Sequence, residues 1–218
     1  MPDYFAYGEK EIDALKSADP KLGTAIERIG KVEREVDPDL FSAIVHHIVG
    51  QQISTKAQAT IWKRMNEGLG GVNPVTIEKA DLSTLQSFGI TFKKAQYIKD
   101  FASSVLSGEL DLKKIEAMDD EEAIKSLSSI KGIGVWTAEM ILLFCLQRPN
   151  VFSYGDLAIQ RGLRMLYHHR SISKEQFEKY RRKFSPYCGV ASLYLWQISG
   201  GAIPELKDPA PKKKGKGK

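Results

Sequence analysis

Residues 127–138 read LSSIKGIGVWTA, and this short stretch decides how the rest of the chain is interpreted. Two glycines, Gly132 and Gly134, flank one apolar residue, Ile133, and a largely apolar segment follows them. Glycine adopts a positive φ at little cost and has no side chain to block an approaching ligand. The pattern therefore predicts a helix, a tight turn and a second helix, with Ile133 buried to anchor the turn.

The turn would present free N–H groups where the second helix begins. The partial positive charge of a helix N-terminus favours an anion, and a phosphate of a DNA backbone is a suitable one. An ordinary helical hairpin, with glycines that only allow close packing, is the alternative. The apolar residues Leu127 and Ile130, with Ala138 for close helix contact, favour phosphate binding.

Helical signals cover most of the remaining chain. Asp37 and Pro38 are typical of an N-cap and a first helical residue, and apolar residues at helical spacing follow them. Ser54 is placed to cap a helix that runs to about Glu67. Further helices are predicted from Thr91 to about Ser107, from Asp119 to about Leu127, from Val135 to Gln147 and from about Gly189 to Ser199. Alternating strand patterns are scarce, so the fold class is all-α.

Composition narrows the class of protein. Apolar residues make up 42% and charged residues 27% of the 218 residues, as in ordinary globular proteins. No apolar run is long enough to span a bilayer, and the N-terminus lacks the pattern of a secretory signal. The two cysteines argue against a disulfide framework. We therefore expect a cytoplasmic protein, located at the nucleoid or, in a eukaryote, in the nucleus, without membrane contact.

Positive charge is concentrated at the C-terminus. The formal net charge is +5, and the last seven residues contain five lysines, so the rest of the chain is close to neutral. Such a run is either a solvated end or a binding arm for a polyanion. If DNA is bound specifically, local geometry and not bulk charge must provide the binding.

Four segments in order resemble the helix-hairpin-helix (HhH-GPD) base-excision glycosylases, specifically the 3-methyladenine DNA glycosylase II branch. They are residues 48–54 (IVGQQIS), 130–138 (IKGIGVWTA), 155–161 (GDLAIQR) and 194–196 (YLW). The resemblance covers about residues 37–199. The four segments together identify the family more specifically than any one of them does alone.

The resemblance implies a two-lobed helical domain over residues 1–206. A middle lobe of about residues 37–147 would contain the hairpin, and residues 1–36 and 148–206 would form the other lobe. We expect the compact form of the fold, without the additional N-terminal β-domain of a well-known relative. Residues 207–218 are expected to be a disordered, lysine-rich tail.

Asp156 matches the catalytic aspartate of this family. Breaking an N-glycosidic bond develops positive charge on the deoxyribose, which a carboxylate beneath the sugar stabilises while it orients or deprotonates a water molecule. Judged without the resemblance, a helix cap after Gly155 is the commoner role of such an aspartate, and only the family motif favours the catalytic role. Both roles can hold at once.

The hairpin residue Trp136 bears on the mechanism. Bifunctional members of the family carry a lysine at this position, and its amine forms a Schiff base with the sugar. Lys131 lies on the other side of the glycine turn. We therefore expect base removal without strand cleavage.

The resemblance assigns the base pocket to Trp136, Tyr187 and Met140, the last at a position where the branch can carry a third aromatic residue. Cationic alkylated purines are attracted to aromatic faces. Plain core packing is the alternative for the two aromatic residues.

The resemblance also identifies residues at the DNA surface. Gln52 occupies the wedge position, which fills the gap left by a flipped nucleotide, and Gln51 and Ser54 lie nearby. Alternatively, the two glutamines end one helix and Ser54 caps the next. The hairpin residues expected to contact DNA are Gly132, Ile133, Gly134, Val135 and Thr137.

No cofactor is expected. Two cysteines cannot hold the iron–sulfur cluster of some relatives, and the four histidines lack zinc spacing. By resemblance, the backbone carbonyls of Ser128, Ile130 and Ile133 are expected to bind Na⁺ or K⁺.

Taken together, the sequence predicts a monomeric, monofunctional DNA glycosylase that flips alkylated purines, of the 3-methyladenine and 7-methylguanine type, out of damaged double-stranded DNA. One alternative is removal of oxidised, deaminated or mismatched bases on the same scaffold. A non-catalytic helix-hairpin-helix module that binds DNA is the other.

Overall fold

The computed structural model describes residues 3–211, which form two compact units. One unit contains residues 36–146, and the other combines residues 3–35 with residues 147–211. The boundaries between the two units that the sequence predicts differ from these by one residue. No helix in residues 3–211 is long and apolar enough to cross a membrane.

The middle unit is built from eight helices. They are α3 (Leu40–Gly50), α4 (Thr55–Leu69), α5 (Pro74–Lys79), α6 (Leu82–Ser87), α7 (Phe92–Leu106), α8 (Leu112–Ala117), α9 (Asp120–Ser128) and α10 (Val135–Phe144). Helix α3 packs against α4, α7 and α10, and α9 packs against α8 and α10. Seven of the eleven residues of α3 are buried, so this helix lies at the centre of the core.

Two helix boundaries differ from the sequence prediction. Asp39, and not Asp37, caps α3, because its Oδ1 atom accepts a hydrogen bond from the Ser42 backbone N–H at 2.6 Å. The Asp37 carboxylate instead accepts a hydrogen bond from the Ser42 hydroxyl at 3.0 Å. Helix α10 ends at Phe144 rather than at Gln147, which has a left-handed φ of 50° that a helix cannot continue through.

The other unit contains five helices and a strand. They are β1 (Asp3–Tyr4), α1 (Glu9–Ala18), α2 (Pro20–Ile29), α11 (Leu157–Tyr167), α12 (Lys174–Phe184) and α13 (Cys188–Gly200). Strand β1 pairs with the two-residue strand β2 (Glu35–Val36). Helix α13 packs against the other four helices, and ten of its thirteen residues are buried. A helix that is apolar on all sides belongs in the interior, and α13 is the core of this unit.

Helices α11 and α13 approach each other closely at a glycine. A Cβ atom at Gly162 would lie 2.4 Å from the Leu195 carbonyl oxygen and 3.0 Å from the Leu195 Cα. These are backbone atoms and cannot move aside as a side chain can. Gly162 therefore sets the distance between α11 and α13.

The ordered chain extends into the segment predicted to be disordered from residue 207. Arg164 of α11 donates two hydrogen bonds to the carboxylate of Asp208, at 2.9 and 2.6 Å. This bidentate pair, with Arg161 3.7 Å from the same carboxylate, fixes the segment around Asp208 to α11. The tail lysines at residues 212–218 lie outside the described residues.

Both cysteines are buried in apolar surroundings. Cys145 is 5% exposed and Cys188 is fully buried. Burial raises the pKa of each thiol to about 12, because a thiolate would lose its hydration. Both side chains therefore remain neutral thiols at physiological pH.

The contact at Gly162 makes a prediction about stability. Gly162→Ala is expected to lower the free energy of unfolding by about 1–3 kcal/mol, because the new methyl group pushes α11 away from α13. Denaturant unfolding would measure the change. Gly200→Ala is the matched control, since a Cβ atom there meets nothing within 4 Å. Equal unfolding midpoints for the two variants would contradict the assignment.

Candidate nucleic-acid interface and active site

The predicted hairpin is present between α9 and α10. Gly132 has a φ of 91°, in the region that favours glycine, and the Ile133 N–H donates to the Ile130 carbonyl at 2.9 Å. Ile133 is only 5% exposed. The turn and the burial of its central residue are therefore confirmed.

The start of α10 differs from that of most other helices in how its N–H groups are satisfied. Gly134 is its N-cap residue, and no side chain caps this helix end. Ten helices in residues 3–211 have a side-chain cap, from Asp19, Asp39, Ser54, Asn73, Asp81, Thr91, Asp111, Asp119, Asp156 and Ser173. A glycine at the start of α10 leaves room for an external anion to take the place of the cap.

The first turn of α10 has one exposed and one buried face. Val135 and Trp136 are 58% and 47% exposed, which is unusual for large apolar side chains. Thr137 and Met140 are buried in the middle unit. Of the predicted pocket residues in this unit, Trp136 is therefore available to a ligand, while Met140 belongs to the core.

The loop between α3 and α4 lies against the hairpin turn. The side-chain amide of Gln51 donates to the Gly132 carbonyl at 2.5 Å. Gln51 is also the C-cap residue of α3, and Ser54 caps α4 by accepting from the Ala57 N–H at 3.2 Å. Gln52, between them, is exposed and has a left-handed φ of 58°. The loop therefore ends one helix and starts the next, and a role in contacting DNA stays a prediction.

Asp156 lies in the other unit, at the start of α11. Its Oδ1 atom accepts hydrogen bonds from the backbone N–H groups of Ala158 and Ile159, at 2.8 and 2.9 Å. The residue is 5% exposed, and these two bonds fix the orientation of its carboxylate. The helix-cap role is thus confirmed. It is compatible with a catalytic role, because a preorganised carboxylate needs a fixed position.

Leu157 follows Asp156 and is 78% exposed, the highest value among the exposed large hydrophobic residues. The sequence analysis did not single it out. Its signal is positional: a leucine at the first position of a capped helix projects away from the helix body, next to the carboxylate. An apolar side chain in this place is available to pack against a bound ligand.

Tyr187 is the N-cap residue of α13 and is half-buried. It follows a cis peptide bond between Ser185 and Pro186. Its backbone N–H donates to the Phe184 carbonyl at 2.8 Å, so the backbone of this short connection is fixed. The assignment of Tyr187 to a base pocket stays a prediction.

Two lysines near the hairpin each interact with oxygen atoms of the protein. Lys131 lies 3.1 Å from the carboxylate of Asp100, whose pKa is lowered by hydrogen bonds from Gln96 and Lys131. Lys94 donates to two backbone carbonyls, and burial lowers the pKa of its ammonium group. The sequence analysis did not assign a role to Lys94.

Within residues 3–211, no group of three or more histidine, cysteine, aspartate or glutamate side chains could hold a metal ion. The buried Ser128 hydroxyl, at the end of α9, has no hydrogen-bond partner in the described part of the chain. An unpaired oxygen beside the turn is compatible with a cation bound there by oxygen ligands.

Comparison with protein families matches residues 45–186 to the HhH-GPD superfamily of base excision DNA repair proteins. The matched region includes the α3–α4 loop, the hairpin and Asp156. It covers well over half of the chain.

Individual proteins agree with this match. The putative DNA-3-methyladenine glycosylase YfjP of Bacillus subtilis is 29% identical over 171 residues, which are 74% of this chain. The match spans 60% of that relative's own length, so the chain covers less than two thirds of it.

Two solved structures have the same fold. A DNA-3-methyladenine glycosidase from Bacillus halodurans has a TM-score of 0.81 and 34% identity, covering 93% of this chain and 95% of that chain. A 3-methyladenine DNA glycosylase of Schizosaccharomyces pombe in complex with abasic DNA has a TM-score of 0.76 and 26% identity, with coverage of 88% and 97%. The chain therefore belongs to the HhH-GPD superfamily of base excision DNA repair proteins.

Proposed function

We propose that this chain is a DNA glycosylase that hydrolyses the N-glycosidic bond of alkylated purines, of the 3-methyladenine and 7-methylguanine type. The observation that carries the proposal is the carboxylate of Asp156, buried and held by two backbone N–H groups at the start of α11. The activity of the named relatives supports the substrate class, since both solved structures are of 3-methyladenine enzymes.

Double-stranded DNA is the partner in this proposal. The turn at Gly132 and Gly134 would hold a backbone phosphate at the uncapped start of α10. The glycosidic bond is inaccessible in a stacked duplex, so the damaged nucleotide must be flipped out. The exposed Gln52, at the tip of the α3–α4 loop, would fill the gap that the nucleotide leaves.

The chemistry follows from the charge that develops in the reaction. As the base leaves, the deoxyribose gains positive charge, and the fixed carboxylate of Asp156 stabilises it. The same carboxylate orients a water molecule or accepts its proton, and the water oxygen forms the new bond to the anomeric carbon. The products are the free base and an abasic site, with the strand intact.

The preference for alkylated purines rests on Trp136. N3- and N7-alkylated purines carry positive charge and are good leaving groups. An indole that is 47% exposed at the start of α10 offers them a cation–π contact of about 0.5–2 kcal/mol. Tyr187 would provide a second aromatic surface.

A monovalent cation at the hairpin completes the proposal. The backbone carbonyls of Ser128, Ile130 and Ile133 would hold Na⁺ or K⁺, with the unpaired Ser128 hydroxyl in the same turn. Such an ion would add positive charge next to the phosphate. We propose no other cofactor.

The catalytic role of Asp156 can be tested by substitution. Asp156→Asn is expected to lower the single-turnover rate of base release from 7-methylguanine DNA by a factor of about 10² or more, because the amide carries no charge. The amide oxygen can still cap α11, so the unfolding midpoint should change little. Asp119→Asn is the matched control, since Asp119 caps α9 in the same way, with a 2.9 Å bond from the Glu122 N–H. Equal loss of rate in both variants would refute the catalytic role.

The second prediction concerns the absence of lyase activity. Incubation with damaged DNA and borohydride should trap no covalent protein–DNA complex, and strands should break only after alkali treatment. Trp136 stands where an attacking lysine would be needed, and Lys131 pairs with Asp100. A bifunctional glycosylase serves as the positive control. A trapped complex would show that the protein forms a Schiff base with the sugar, and hydrolysis would then not be its only reaction.

The third prediction concerns selectivity. Trp136→Leu is expected to lower the rate for cationic 7-methylguanine relative to neutral hypoxanthine by about tenfold, through loss of the cation–π contact. Phe92→Leu is the control, because Phe92 is also an exposed aromatic residue, at 59%, and lies at the start of α7. If the ratio of the two rates is unchanged in Trp136→Leu, this tryptophan does not select the substrate.

A further inference from the structure

The α3–α4 loop holds a backbone conformation that its sequence does not favour. Gln52 has a φ of 58°, and a residue with a Cβ atom is strained in this region. Ile53, the next residue, is 38% exposed, so its burial does not stabilise the loop. Such a conformation persists only where the surrounding structure holds it in place.

Lys94 of α7 holds one side of this loop. Its ammonium group donates to the Val49 carbonyl at 2.9 Å and to the Gln51 carbonyl at 2.6 Å. These carbonyls lie at the C-terminal end of α3, where the helix dipole favours a cation. One side chain therefore binds both the end of α3 and the start of the loop.

Gln51 connects the loop to the hairpin. Its amide donates to the Gly132 carbonyl at 2.5 Å, across 81 residues of sequence. The same glycine lies against α7 from another direction, because a Cβ atom at Gly132 would be 2.8 Å from the ring of Tyr97. Helix α7 thus contacts the turn through Tyr97 and the loop through Lys94.

We propose that Lys94 and Gln51 are positioning residues that keep the α3–α4 loop and the hairpin turn in one fixed arrangement. The proposal rests on the proposed function, in which the turn holds a phosphate and Gln52 fills the gap in the duplex. When the bonds from Lys94 and Gln51 are in place, binding of the DNA backbone by the turn also brings Gln52 to the duplex. The loop then needs no separate movement. Neither residue needs to touch the DNA.

The test compares two glutamines that make the same kind of bond. Gln51→Leu removes the donor to Gly132. Gln58→Leu is the matched control, because Gln58 donates its amide to the His46 carbonyl, within α3, at 2.9 Å. Each variant is assayed on 7-methylguanine in a fully paired duplex and in an unpaired bubble, where no gap has to be filled.

Gln51→Leu is expected to lower the maximal single-turnover rate on the paired duplex by about tenfold. The enzyme concentration at half-maximal rate should stay within about twofold, and the rate on the bubble should hardly change. Lys94→Met should behave in the same way, and Lys94→Arg should restore the rate, because a guanidinium can also donate to two carbonyls. Equal rates for Gln51→Leu and Gln58→Leu on the duplex, or equal losses on duplex and bubble, would overturn the proposal.

Backbone amide hydrogen exchange in the free protein separates this proposal from the proposed function. Gln51→Leu should speed exchange in residues 50–54 and 129–134 together, relative to Gln58→Leu. If the wild-type protein releases no base, the proposed function fails, and the exchange data alone decide the positioning role. Unchanged exchange in both segments would then refute it.

Discussion

In each unit, the candidate functional residues depend on how the first N–H groups of one helix are satisfied. At the start of α11, the Asp156 carboxylate accepts two of them, and this fixes a buried negative charge at one point. At the start of α10, Gly134 supplies no side chain. One helix start therefore holds an anion that belongs to the protein, and the other is suited to an anion from outside. The fixed carboxylate at α11 and the proposed phosphate binding at α10 have the same cause: the first N–H groups of a helix need an acceptor and favour negative charge.

Packing within each unit holds the first turn of α10 or of α11 in place. In one unit, Gly162 allows α11 to lie directly on the backbone of α13, a helix buried over most of its length. In the other unit, α7 supports the hairpin through Tyr97 and the neighbouring loop through Lys94. Each helix start is therefore supported by the core of its own unit.

The sequence could predict those features whose causes are local. A glycine turn, a capping serine at residue 54 and the Asp156 cap each depend on residues within one helical turn, and all were confirmed. The prediction that Asp37 caps α3 was wrong, because Asp39 lies two residues further on and is an equally good cap in sequence. Only the position of the Ser42 N–H in the folded chain decides between them.

Long-range contacts could not be predicted in the same way. The bond from Gln51 to Gly132 joins segments 81 residues apart, and the carbonyls bound by Lys94 have no sequence signature. The exposure of Leu157 depends on what surrounds the start of α11. The resemblance to a family identified the segments that matter, but not the side chains that hold them together.

The burial of the two thiols has a consequence for a protein of this class. An enzyme that acts on alkylated bases would work in cells that contain the alkylating electrophiles themselves. Such reagents attack thiolates far faster than thiols, and the pKa of both Cys145 and Cys188 is raised to about 12. Because both sulfurs are buried and protonated, we expect slow alkylation of Cys145 and Cys188 by the agents whose damage the protein is proposed to repair.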